Sequence, residues 1–112
     1  MASATESIGI LQFALDSLVN QQQVIANNIA NQDTPGYQAS QVTFESSLAQ
    51  ALQGGGVASA QTVPEGLPSA SDGNNVSIST EMSLMVQNNL ENQTVDNALS
   101  GQFTILSDAL NA

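Results

Sequence analysis

Seven positions near the start of the chain, Ile8, Leu11, Leu15, Leu18, Gln22, Ile25 and Ile29, are spaced alternately three and four residues apart. That spacing places all of them on one narrow stripe of an α-helix, broken only by the polar Gln22. It predicts a helix over residues 5–31, capped by Ser3 or Thr5, with Glu6 near the positive end of the helix dipole. Such a helix reaches about 40 Å, further than a chain of 112 residues can wrap around a core of its own. A single seam on so long a rod needs a partner helix.

The same constraint returns at the other end. Residues 79–110 read as a second helix, with Ser79 as N-cap and Glu81 in the first turn. Its heptad track runs Ile78, Met82, Met85, Asn89, Asn92, Asp96, Leu99, Phe103, Leu106, Leu110, apolar at both ends and polar in the middle. Val86, Leu90 and Val95 lie off that track and are expected to bury the central turns from another side. Gly101 weakens the helix by about 1 kcal/mol relative to Ala or admits a close neighbour.

Between the helices the period changes. Val42 and Phe44 alternate with polar residues as in an extended segment, and Phe44, Leu48 and Leu52 then suggest a short helix capped by Thr43. Residues 54–75 contain three successive glycines, Pro64, Pro68 and Asp72-Gly73, the composition of a linker or mobile loop. The fold class is therefore mainly α, with two long terminal helices and a loop-rich middle holding a short helix or extended segment. So long a loop favours an elongated molecule over a compact globule.

Charge narrows the functions open to the chain. It carries ten acidic side chains and no Lys, Arg or His. Nothing can neutralise phosphates, which excludes nucleic acid as a partner, and attraction to anionic membrane surfaces fails for the same reason. No side-chain salt bridge can form within the chain. A serine nucleophile has no evident base and an oxyanion no cationic partner, so no catalytic, cofactor or metal residues are assigned and an enzyme is not expected. Asp72-Gly73-Asn74-Asn75 lacks the spacing of a calcium loop and reads as a turn. There is no cysteine for a disulfide or thiolate site. The first residues lack the basic and apolar regions of a secretory signal, and no apolar run approaches the ~20 residues that span a bilayer.

The first helix runs into Ala26-Asn27-Asn28-Ile29-Ala30-Asn31-Gln32-Asp33-Thr34-Pro35-Gly36-Tyr37. Physically this is a helix stop: Asn tolerates the left-handed conformation that closes helices, and Pro35 pushes Thr34 out of the α region. Pro35-Gly36 then fits the centre of a type II turn. The particular letters resemble the ANN-[IL]-AN-x-x-T-P-G-Y signature of flagellar axial proteins, the rod and hook subunits. Asp72-Gly73-Asn74-Asn75-Val76 followed by Glu81-Met82 is similar to a second motif of the short proximal rod proteins. Asp33 to Ala39 matches their D-T-P-G-Y-[KR]-A, with Gln38 in place of the base.

The resemblance implies one elongated domain, residues 1–112, whose terminal helices form an antiparallel coiled-coil hairpin. Copies would stack helically, with other rod proteins and an adaptor to the membrane ring, into the periplasmic rod that carries torque to the hook. Export would be of the flagellar type III kind, without a cleaved signal peptide. The expected assembly seam is Ile8, Leu11, Leu15, Leu18, Ile25 and Ile29 against Leu99, Phe103, Leu106 and Leu110. Contacts between subunits are expected at Asn27, Asn28, Asn31, Thr34 and Tyr37, while Pro35 and Gly36 serve backbone geometry as readily as contact. Another axial component, or a small acidic secreted helical binding module, is the alternative.

Overall fold

The computed structural model describes residues 4–54 and 56–111. Helix α1 spans Ala4–Ala30, strand β1 Ser40–Thr43, helix α2 Glu45–Leu52, strand β2 Gln61–Pro64 and helix α3 Ile78–Asn111. The molecule measures 64 × 24 × 14 Å. The cap candidates of α1, Ser3 and the Thr5 side chain, lie outside what is described.

Helices α1 and α3 lie side by side and run antiparallel. Asn28 of α1 bonds Glu81 of α3, and Asn88, further along α3, bonds back to Leu18 and Gln21. The α1 stripe is largely buried as spaced: Ile8, Leu18 and Ile25 are buried, and Leu11, Leu15 and Ile29 half-buried. Gln22 is exposed, and its neighbour Gln21 turns inward instead.

The inward face of α3 takes in only one edge of its heptad track, Met85, Asn92, Leu99 and Leu106, all half-buried. Its buried or half-buried positions are Thr80, Glu81, Leu84, Met85, Asn88, Glu91, Asn92, Val95, Leu99, Gln102 and Leu106, whereas Ile78, Met82, Asn89, Asp96, Phe103 and Leu110 of the track face out. Val95 joins the core as expected, but Val86 and Leu90 are each 60% exposed. Counting apolar letters misplaced part of this face because polar residues with dedicated partners, Glu81 in the first turn and Asn88 two turns on, take inward positions. Length matters too: 34 residues of α3 reach about 51 Å and outrun α1.

A second face of α1 carries the middle of the chain. Ala14 and Leu18 pack with Val42 and Phe44, flanked by Phe13, Val24, Leu48 and Val95. Strands β1 and β2 pair antiparallel, Ser40 opposite Pro64 and Thr43 opposite Gln61. Proline is tolerated at this strand end, where its missing N–H leaves no ladder bond unmade. The reading of 54–75 as a linker is thereby corrected: four of its residues form a strand, and its end is bonded to the turn after α1. Phe44, not Thr43, precedes α2 without a side-chain cap, although the Glu45 carboxylate accepts the Phe44 N–H at 3.1 Å. Ser77, not Ser79, caps α3; its hydroxyl accepts the Thr80 N–H and its carbonyl the Glu81 N–H.

Candidate functional site

The two polar motifs, some forty residues apart, form one junction at the end of α1. The helix closes through successive short turns, with Asn31 N–H donating to the Asn27 and Asn28 carbonyls, Gln32 to Ile29 and Thr34 to Asn31. Among the described residues only glycines have positive φ, so the expected left-handed Asn is not used. Thr34 to Tyr37 is a type II turn: the Tyr37 N–H donates to the Thr34 carbonyl at 3.2 Å and Gly36 has φ 75°.

The second motif docks onto that turn. Gly36 N–H donates to the Asp72 carbonyl at 2.9 Å and Asn75 N–H to the Tyr37 carbonyl at 3.1 Å. The Asn74 amide spans the carbonyls of Asn31 and Thr34 at 2.8 and 2.7 Å, filling acceptors that a helix end leaves open. Asn75 accepts the Ala39 N–H at 2.6 Å and donates to the Leu67 carbonyl at 3.0 Å. The Asp72 carboxylate accepts the Asn74 N–H at 3.0 Å, a local turn of the kind Asp favours. A Cβ on Gly73 would stand 3.2 Å from the Gly36 Cα, so the two turns touch through glycine.

Asn28 is the centre of the junction and is wholly buried. Its Nδ2 donates to the Ser40 carbonyl and to Glu81 Oε1, both at 2.8 Å. Its Oδ1 accepts from Ser40 N–H at 3.2 Å and from the Tyr37 hydroxyl at 3.3 Å. One side chain thus joins α1, the turn, the hairpin and α3. Glu81, also wholly buried, has its carboxyl pushed up to about 7 by burial and by the adjoining Glu65 carboxyl; only the Asn28 bond opposes this.

Sequence reasoning directed the Asn and Tyr side chains of the turn towards other subunits, whereas Asn28 and Tyr37 have partners inside the chain. Asn31 donates to the Asn27 carbonyl at 2.8 Å and accepts from Thr34 at 3.1 Å; Asn27 and Pro35 are exposed. Glu65, Glu81 and Asn88 were missed as partners. The signal available was Glu81 in the second motif, since a buried carboxylate requires a donor. Of the expected seam, Phe103 is 47% and Leu110 77% exposed, because one lies off the inward face and the other beyond the end of α1.

The remaining surface is apolar in rows rather than chemically armed. Met82, Val86 and Leu90 make an outward stripe along α3, one residue every four. An open groove of about 530 Å³ runs between α1 and the end of α2, lined by Ile10, Phe13, Ala51 and Val57 among others. No group of three or more metal-ligating side chains occurs among the described residues, and no helix among them is long and apolar enough to cross a membrane.

Residues 11–38 match the model of the family described as flagella basal body rod protein. The chain is 34% identical to the flagellar basal body rod protein FlgB of Aeromonas hydrophila, covering 96% of this chain and 95% of the relative. It is 33% identical to FlgB of Escherichia coli K12, covering 88% of each. FlgB of Bacillus subtilis is 32% identical over 98% of this chain and 97% of its own length.

Proposed function

Because the chain belongs to the FlgB family of flagellar basal body rod proteins and is a structural component of that rod, we propose that it works as a proximal rod subunit whose two terminal helices form an antiparallel coiled-coil hairpin. Its partners are further copies of itself, other rod proteins and the adaptor to the membrane ring, and through them it passes torque from the ring to the hook in the periplasm.

The observation that carries this reading is the apolar surface α3 leaves unused. Phe103, Ile105 and Leu110 are exposed on the part of α3 that α1 covers least or not at all. A long helix that keeps apolar residues outside its own hairpin is stabilised by neighbouring helices. The junction around Asn28 supports it differently, by fixing the hairpin and the helix ends as one rigid unit able to transmit force.

The test is complementation of a strain of the source organism that lacks its own copy of the gene. A chain carrying Phe103→Ser and Leu110→Ser keeps its circular dichroism, since neither side chain is enclosed in the single chain. It fails to restore swimming, and electron micrographs show basal bodies without rods. Swimming restored to the parental level by this variant refutes the reading.

A further inference from the structure

Glu65 and Glu81 bring two carboxyl groups into one buried place from two different elements. Glu65 follows Pro64, which pairs with Ser40 across the hairpin, and its N–H donates to the Ala39 carbonyl at 3.0 Å. Glu81 lies in the first turn of α3 and reaches the same strand through Asn28, which holds both the Ser40 carbonyl and Glu81 Oε1. That accounts for one of four carboxyl oxygens. The other three, Glu81 Oε2 and both oxygens of Glu65, are buried with no hydrogen-bond donor.

No basic side chain can relieve them from within, because the chain has no Lys, Arg or His. The groups facing the pair are Glu65 from the hairpin, Glu81 from α3 and the neutral Asn28 amide from α1. The Tyr37 hydroxyl stands one hydrogen bond further out. Two ionised carboxylates in such a place repel each other and have lost their water. A single proton removes both penalties: one carboxyl becomes neutral and donates to the other.

We propose that the Glu65–Glu81 pair is a proton-binding site that clasps the hairpin onto the ends of α1 and α3. The clasp is closed while the pair holds at least one proton and loosened when both groups ionise. Burial and the neighbouring carboxyl, which push Glu81 up to about 7, set the range in which it opens. The folded chain binds this proton more tightly than the unfolded chain. Its stabilisation is complete below the ordinary glutamate range and is lost as pH rises through about 7. The inference concerns the folded chain itself and stands or falls independently of assembly into a rod.

Carbon-detected NMR of the full chain with labelled glutamate side chains reads the site directly. The Glu81 carboxyl carbon titrates near neutral pH instead of near 4.5, and the amide signals of Ala39, Ser40 and Glu65 shift with it. Glu65→Gln supplies a permanent donor, so in that variant the hairpin amide signals stop responding between pH 5 and 8 and keep their acid-state positions at pH 8. A parent chain whose Glu81 titrates in the ordinary glutamate range overturns the proposal. So does a Glu65→Gln variant whose hairpin retains the parental pH response. Recovery of the acid-state spectrum at pH 8 on adding millimolar Ca²⁺ to the parent also overturns it, in favour of a metal ion between the carboxylates.

Discussion

The side-chain amide of Asn88 donates to the main-chain carbonyl of Leu18 across 2.9 Å, linking the third turn of α3 to the middle of α1. Both residues are wholly buried. The same Asn88 nitrogen also reaches Gln21 Oε1 at 3.0 Å. A polar side chain inside a helix pair fixes register, because sliding by one turn leaves it buried without a partner. Asn88→Leu is therefore expected to retain or raise the denaturant midpoint while losing the single register. Amide spectra of α1 and α3 should show doubled or broadened peaks; one sharp set of parental signals would contradict this role.

Two glycine substitutions should have opposite signs. Gly73 has φ 86°, and its Cβ position lies 3.2 Å from the Gly36 Cα, which is backbone and cannot swing aside. Gly73→Ala should destabilise by about 1–3 kcal/mol. Gly101 sits exposed within α3 with nothing within 4 Å of an added Cβ. Gly101→Ala should stabilise by up to about 1 kcal/mol. Urea unfolding of the two variants beside the parent reads both values.

Glu91, ten residues along α3 from Glu81, supplies a second pH-dependent element. Burial and then the charge of Glu45 raise its carboxyl above the ordinary range, against a hydrogen bond from Gln87. A raised carboxyl gives stability that is present in acid and lost as pH climbs through the raised value. Glu91→Gln should consequently unfold at a higher temperature than the parent at pH 8, with the gap closing by pH 3. A gap of constant size at both pH values would mean that charge is not its cause.

Hydrogen exchange should grade along α3. Amides from Leu84 to Val95 lie over Leu18 and the hairpin, so they open only with the core. Amides from Phe103 to Asn111 belong to a stretch where most side chains are exposed. In the isolated chain the latter should exchange at least tenfold faster than the former. Equal protection along the helix would show that its tail is ordered without neighbours.

Much of the architecture was legible because period survives in the letters. The α1 stripe lies where Ile8 to Ile29 put it, and Pro35-Gly36 makes the turn its φ preferences require. Legibility failed where polar groups do the packing. Nothing local in Glu81 or Asn88 says they are interior; their donors and acceptors, Asn28 and Leu18, are 53 and 70 residues away. The same holds for β2, whose Thr62 and Val63 find β1 only through pairing across the chain, in a stretch that composition marks as loop. The junction was half legible: both motifs stood out in the sequence, but not that Asn74 and Asn75 dock the second onto the first.

The outward row of Met82, Val86 and Leu90 belongs to a chain with a formal charge of −10 and no basic side chain. Wherever two copies bring such rows together they also bring like charges together, with no ion pair to offset them. Dissolved salt screens that repulsion, with a Debye length of about 8 Å at physiological ionic strength, and leaves apolar attraction in place. Ionic strength therefore acts with the reverse of its usual sign: electrolyte should tighten contact between copies, and dilution into pure water should loosen it, where a filament held by salt bridges would do the opposite.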